Sequence, residues 1–202
     1  MDIRKILAVA LALAALALTA TACSGSGSSG GSSSGGDTTT YTNDDYAFSL
    51  TYDTTFTEGT QSGGSESGAG SAFDIAFIDT NGTKIGGKYV DGLLISVYEL
   101  SRELKSSEVP GLKAEVDGVV TQLMGTLNSA KITAPLANAT VNGVPGFKLS
   151  YTFAQEGTGM TATTYFLFSG KIEYELTGQA GTVTYDTLSP KLDAALQSFT
   201  VN

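Results

Sequence analysis

Three short runs near the C-terminal end constrain the fold more than any other part of the chain. In Phe147-Lys148-Leu149-Ser150-Tyr151-Thr152-Phe153 the large apolar residues fall on one face and the polar residues on the other, because side chains of an extended strand alternate with a period of two. Met160 to Phe168 repeats the pattern, with Met160, Ala162, Phe166 and Phe168 on one face and Thr161, Thr163 and Tyr165 on the other. Ile172-Glu173-Tyr174-Glu175-Leu176 continues it. Gly157 to Gly159 and Ser169-Gly170-Lys171 supply turn residues between the runs. Together they predict an antiparallel meander with an inside and an outside.

Further strands precede the meander. Tyr46 to Tyr52 alternates as a half-buried strand does, and Phe73 to Ile78 is a second strand. Leu93 to Leu100 is apolar on both faces and belongs in the middle of a sheet. Thr57 to Ser71 is Gly/Ser-rich and reads as a long loop. Ala137 to Val141 is a strand ending in an Asn142-Gly143 turn. The period changes at Leu112, Val116, Val119, Val120, Leu123, Met124 and Leu127, which recur at helical spacing. Ser106 or Ser107 is placed to cap that helix, with Pro110 near its first turn. Tyr185, Leu188, Leu192, Leu196 and Phe199 mark a second helix that Ser189-Pro190 either starts or kinks. The class is α+β, an antiparallel β-sheet with packed helices. At about 165 residues the folded part is large enough for a core without staples.

The N-terminal end has a different composition. Arg4 and Lys5 precede an uncharged run from Ile6 to Leu18, followed by Thr19-Ala20-Thr21-Ala22. A basic start, a short apolar stretch and small residues form an export signal, and the run falls short of the ~20 residues that span a bilayer. Thr21-Ala22-Cys23 resembles the lipobox of bacterial lipoproteins, with Ala20 where leucine is commonest. The resemblance implies cleavage between Ala22 and Cys23, a diacylglyceryl group on the Cys23 thiol, and acylation of the new amino terminus. Two chains anchor stably where one anchors marginally. Ser24 to Asp37, almost all serine and glycine, is a flexible tether with a reach of about 20 Å. The expected organisation is a signal peptide at 1–22, a lipidated cysteine and tether at 23–40, and a folded domain at 41–202. The expected location is the cell membrane, with the domain on the extracytoplasmic side.

Composition removes several chemistries. The chain has one cysteine and no histidine or tryptophan, so an internal disulfide and a Cys/His zinc site are excluded by count. A net charge of −9 argues against nucleic acid as a partner. The tether matches GxGxxG at Gly25–Gly30 and GxSxG at Gly27–Gly31 and Gly31–Gly35, but these motifs need a strand before and a helix after. In a Ser/Gly tract they arise by composition. No lysine has a serine three positions earlier, which removes the Ser-x-x-Lys arrangement. Asp79-x-Asn81-Gly82 with Asp91 has some elements of a calcium loop, but lacks the regular third ligand and closing glutamate. It reads as a turn. No metal site, cofactor or catalytic residue is expected.

Tyr46 to Tyr52, the Asn142-Gly143-Val144-Pro145-Gly146 lead-in, and Lys171 to Gly178 with the Pro190 helix and the closing Gln197-Ser198-Phe199-Thr200-Val201 resemble the PsbP-like group, which includes the DcrB-like bacterial lipoproteins. The resemblance implies an α/β/α sandwich. Its members include a photosystem subunit, a nuclear GTPase-binding protein and cell-envelope lipoproteins, and it supplies no catalytic residues to carry over. A non-enzymatic envelope lipoprotein that binds another envelope protein is the first expectation. A carrier for a small apolar or lipid ligand is the alternative, and a hydrolase of unrecognised type the third. For binding, Tyr98, Tyr151, Tyr165 and Tyr174 are candidates to line a cleft between sheet and helix. Thr152, Thr163 and Tyr165, on the polar strand face with Ser150 and Thr161, are candidates for a docking surface.

Overall fold

A computed structural model describes residues 37–59 and 71–202. The strands in chain order are β1 (Thr38–Asn43), β2 (Phe48–Asp53), β3 (Phe56–Gly59), β4 (Phe73–Asp79), β5 (Lys84–Ile85), β6 (Lys88–Tyr89) and β7 (Gly92–Leu104). A 3-10 turn, Val109–Leu112, leads into helix α1 (Lys113–Thr126). Then come β8 (Asn128–Val141), β9 (Val144–Gln155), β10 (Thr158–Gly181), helix α2 (Tyr185–Ser198) and β11 (Thr200–Val201). The main sheet has the order β3-β4-β7-β10-β9-β8, a smaller one has the order β1-β2-β11, and β5 pairs with β6. Every pairing is antiparallel. The expected lipidation site at Cys23, the expected cleavage position at Ala22 and the expected signal lie outside the described residues.

The predicted meander is present, although its last two strands form one unbroken extended element. A straight strand of the length of β10 would run roughly 80 Å at ~3.3 Å per residue. Instead Thr182 N–H donates to Gly159 O at 2.8 Å, and Thr164 Oγ1 lies 2.9 Å from Thr177 Oγ1. Both pairs are symmetric about Gly170–Lys171, so β10 folds back there, with Gly170 at a φ of 61° that glycine adopts without steric cost. Its first arm, 158–167, pairs with β9, and its second, 170–179, pairs with β7. The β8–β9 and β9–β10 hairpins use two-residue turns with positive φ at both positions. These are Asn142-Gly143 (46° and 86°) and Glu156-Gly157 (46° and 83°), the backbone that matches strand twist.

Several boundaries differ from the sequence reading. Thr38–Thr40, assigned to the tether, form the first half of β1 and pair with Thr51–Asp53. Strand β8 begins nine residues before Ala137, at Asn128. Neither Ser106 nor Ser107 caps the helix. The turn before it starts at Glu108, whose carboxylate accepts Lys105 N–H at 2.9 Å. Of the two expectations for Ser189-Pro190, a helix start is not met, because Pro190 lies inside α2.

Two apolar cores lie on opposite faces of the main sheet. On one face Phe147, Leu149, Tyr151 and Phe153 of β9 and Met160, Phe166 and Phe168 of β10 pack with Val116, Val119, Val120 and Leu123 of α1. On the other, Tyr165, Leu167, Tyr174 and Leu176 of β10, with β4 and β7 residues, pack against Phe48 and Leu50 of β2 and Leu188, Leu192 and Leu196 of α2. The expected α/β/α sandwich is met in part, because the second face is shared by a helix and a small sheet.

The Asp79–Asp91 region is a structural clasp. Asp79 Oδ1 accepts Asn81 N–H at 2.8 Å within the turn. Asp91 is buried, and its carboxyl accepts Thr83 N–H (2.8 Å), Gly181 N–H (2.8 Å) and Thr184 Oγ1–H (2.9 Å). All of these donors come from the protein, and they tie the β4–β5 turn to the start of α2. Asp91→Ala strands several buried donors and is expected to lower unfolding stability by about 3 kcal/mol. Asp79→Ala, which removes one local turn bond, is expected to cost about 1 kcal/mol. Urea denaturation of both variants checks the ranking, and equal losses would contradict it.

Candidate functional site

A groove of about 290 Å3 opens on the α2 face of the sheet beside its β8 edge. Its rim is Ala134, Pro135, Ala137 and Ala139 of β8, and its floor carries Lys148, Ser150, Tyr165 and Gln197. The local sequence explains the space. Ala134 pairs with Ser150 and Ala137 with Lys148, so Pro135 and Leu136 together oppose Leu149, the two-against-one count of a β-bulge. Leu136 turns into the core under α1. The face left over the groove bears methyl groups and a proline ring where a strand ordinarily carries branched or aromatic side chains.

The floor is held from beneath. Lys148 Nζ lies 5.1 Å from the centre of the Tyr165 ring, within cation–π range. Gln197 Nε2 donates to Tyr165 Oη at 2.6 Å. Asn142 Nδ2 donates to the carbonyls of Gln197 and Phe199, each at 2.9 Å, so the β8–β9 turn fixes the end of α2 that carries Gln197. Burial works against the Lys148 ammonium, but Tyr165, Asp193 and Tyr185 outweigh it and hold its pKa above the ordinary lysine value. Lys148 forms no ion pair among the described residues. The groove therefore offers one cation and hydroxyl groups under apolar walls, an environment for a carboxylate or carbonyl presented by an occupant.

The candidate residues from sequence do not form one surface. Tyr98 and Tyr151 lie on the α1 side of the sheet and are buried, at 8% and 2% exposure. Thr152, Thr163 and Tyr165 share the opposite face. Of these five, Tyr165 alone lines the groove. Thr163 is covered by α2, with its hydroxyl bonded to Ser150 (2.9 Å) and Tyr185 (3.3 Å). Thr152 lies one residue pair further along, opposite Thr161. Sequence reasoning missed β8 as a wall. The available signal was Pro135 between alanines, since proline inside a strand marks an edge or a bulge.

A second polar group was missed because glutamates alternating with apolar residues read as solvent-facing. Asp74, Ser96 and Glu175 form one cross-strand row over β4, β7 and β10, and Tyr98 faces Glu173 in the neighbouring row. Glu173 is 1% exposed with Oε1 unpartnered, and Asp74 Oδ1 is also buried without a partner. Burial first, then the Glu175 charge, pushes Glu173 up to about 8. Burial and Asp74 push the half-buried Glu175 up to about 7, and its residual exposure makes Glu173 the better-insulated of the two. Burial and the same carboxylates raise the Tyr98 phenol against its bond to Ser96. Among the described residues no group of three or more acidic, histidine or cysteine side chains is arranged to hold a metal.

Comparison with solved structures places this architecture. The cyanobacterial PsbP (CyanoP) of Synechocystis sp. PCC 6803 superposes with a TM-score of 0.57 at 14% identity, covering 87% of this chain and 98% of that one. The fold is PsbP-like. A crystal structure from Bacteroides thetaiotaomicron VPI-5482 matches with a TM-score of 0.52 at 11% identity over 81% of this chain, which spans 48% of that protein. No protein-family model matches the sequence, and no match was found among curated proteins.

The buried glutamates make stability depend on pH with a defined sign. A carboxyl whose folded pKa is raised keeps its proton in the native state after the unfolded chain has lost its own, so stability falls as pH rises between the two values. For Glu173 and Glu175 that window runs from the ordinary 4.5 to about 7–8. The depressed carboxyl of Asp53 acts below this window: burial raises it, but hydrogen bonds from Thr55 and the Lys191 charge outweigh burial. The thermal midpoint is therefore expected to fall from pH 5 to pH 8, and Glu173→Gln to flatten that slope. Equal slopes in both proteins, or a midpoint that rises with pH, would refute the assignment.

Proposed function

We propose that this chain is a lipid-anchored, non-catalytic accessory protein of the cell envelope, whose PsbP-like domain holds a protein partner at the groove beside β8. The single observation that carries the binding reading is that groove, a 290 Å3 opening between an exposed edge strand and the end of α2. Three features support it. The floor carries a lysine without an ion pair among the described residues, the walls are small and apolar, and hydrogen bonds from Asn142 and Gln197 hold the floor in place. The envelope location rests on the export signal and on the resemblance of Thr21-Ala22-Cys23 to a lipobox. The fold by itself carries no function.

An apolar-ligand carrier needs a dry chamber on the order of several hundred Å3. The enclosed space beside Phe77, Ile78, Val90, Leu93 and Gln179 measures about 10 Å3, room for about one water, and the larger groove has a polar floor. The hydrolase reading is not revived by Glu173 and Glu175: they lie side by side on one strand face, and Glu173 is 1% exposed.

Two experiments separate the parts of the proposal. Cys23→Ser is expected to abolish fatty-acid labelling and release the protein from the membrane fraction, and unchanged fractionation would sink the lipid anchor. A photo-crosslinking side chain at Asn138 is expected to give one discrete protein adduct in the native envelope, whereas the same group at Val183, which is 95% exposed, should give none. Ala137→Trp, which fills the groove without touching either core, should remove the adduct with the thermal midpoint unchanged. Equal adducts from both positions, or a lipid adduct at Asn138, would overturn the reading.

A further inference from the structure

The outer edge of β8 is guarded along one half and open along the other. As the last strand in the sheet order, β8 has an edge that no other strand pairs among the described residues. Such edges recruit further strands unless charges, prolines or bulges blunt them. In β8 the blunting devices are Lys131, Pro135 and three register shifts, all at or before Ala137. From Ala137 to Val141 the strand pairs with Lys148 to Val144 in unbroken register and carries no charge or proline. The closing pair of a two-residue hairpin exchanges both hydrogen bonds, and bonded pairs then recur at every second residue. Val141, Ala139 and Ala137 therefore point their backbone groups at β9, and the exposed Asn138 and Thr140 present theirs to solvent.

The open half lies directly beside Lys148. Ala137, Lys148 and Tyr165 form one cross-strand row on the α2 face. A strand added outside β8 would place its backbone about 10 Å from that of β9, two spacings of ~4.8 Å. Ala137 intervenes with a single methyl group, so a glutamate on the added strand and the lysine can meet above it. The chain's net charge of −9 disfavours a polyanionic partner, and one lysine matches one carboxylate.

We infer that the partner docks as an extended peptide strand on residues 137–141 of β8, with an acidic side chain opposite Ala137 that reaches Lys148. This rests on the reading of the groove as a protein-binding site and names how the partner sits there. Backbone pairing at Asn138 and Thr140 supplies the attachment, and Lys148 selects the side chain, the division of labour expected of strand addition.

The test uses the isotope-labelled protein and two blocked peptides, Thr-Val-Glu-Val-Thr and Thr-Val-Lys-Val-Thr, followed by amide chemical shifts. Saturable shifts confined to 137–141 and Lys148 are expected with the glutamate peptide. Lys148→Met should weaken that peptide roughly threefold, the range of a partly exposed ion pair, and leave the lysine peptide unchanged. Thr140→Pro removes an outward N–H at an edge position that tolerates proline, so the thermal midpoint should hold while both peptides lose binding. Shifts elsewhere, no shifts at millimolar peptide, or binding that survives Thr140→Pro would overturn the inference. So would concentration-dependent shifts at 137–141 without peptide, which would make a second copy the occupant. If the crosslink at Asn138 persists while the peptides fail, the groove keeps its protein partner and strand docking alone falls.

Discussion

The structure depends on a mismatch between a sheet with two faces and the elements available to cover it. Each face of the main sheet is apolar over one half and polar over the other, and the halves are diagonal. Under α1 the apolar half belongs to β9 and the first arm of β10. On the opposite face it extends across β4, β7 and the second arm of β10, under α2 and β2. The β10 hairpin makes the exchange, because its fold-back places Glu173 and Glu175 on the same face as Phe168 and Phe166 and Tyr174 beside Leu167. Burying apolar area at roughly 25 cal/mol per Å2 stabilises both diagonal halves. What remains is two polar half-faces, and these are the groove floor and the acidic row.

The two remainders have different physics. The groove floor is open, and its polar groups answer to one another: Gln197 to Tyr165, Ser150 to Thr163, and Asn142 to the last carbonyls of α2. The acidic group is more enclosed, with Glu173 buried and Asp74 and Glu175 half-buried, and an oxygen each of Asp74 and Glu173 has no partner. A buried carboxyl without a counter-charge relieves its desolvation by keeping its proton. The same sheet thus has one polar surface organised to receive a group and one whose glutamates, Glu173 and Glu175, are tolerated while they keep their protons. The first can act without perturbing the fold, because Ala134, Pro135 and Ala137 of its wall belong to neither core.

Much of this was legible in sequence wherever the period was clear. The meander, the central strand at Leu93, α1, α2 and the Asn142-Gly143 turn all follow from alternation, helical spacing and positive-φ residues. The turn reading of Asp79 to Thr83 also holds, with Asp91 occupied by protein donors. What could not be read was which half of each face is covered. Alternation in Ile172 to Leu176 separates glutamates from apolar residues but does not say that both sides are inside. Tyr98 and Tyr151 were grouped with Tyr165 because all are tyrosines in strands, whereas strand register sends the first two to the α1 face. The alanines of β8 were unreadable for a simpler reason. A small residue signals nothing by itself, and its meaning here is the volume it leaves empty over Lys148.

The proposed tether and the proposed docking strand are linked through effective concentration. A docking contact made of two outward backbone positions and one partly exposed ion pair is weak, since surface pairs contribute only about 0–1 kcal/mol. Free in solution such a contact would not persist. With the proposed anchor at Cys23 and a tether of about 20 Å, the domain would meet any partner fixed in the same membrane at concentrations on the order of millimolar. A weak, reversible strand contact is then sufficient, and a tighter apolar site would be a liability, because an exposed sticky edge also pairs with its own copies. The guards on the first half of β8 and the single charge beside its second half fit that requirement, because they confine an added strand to residues 137–141 and favour one that carries an acidic side chain.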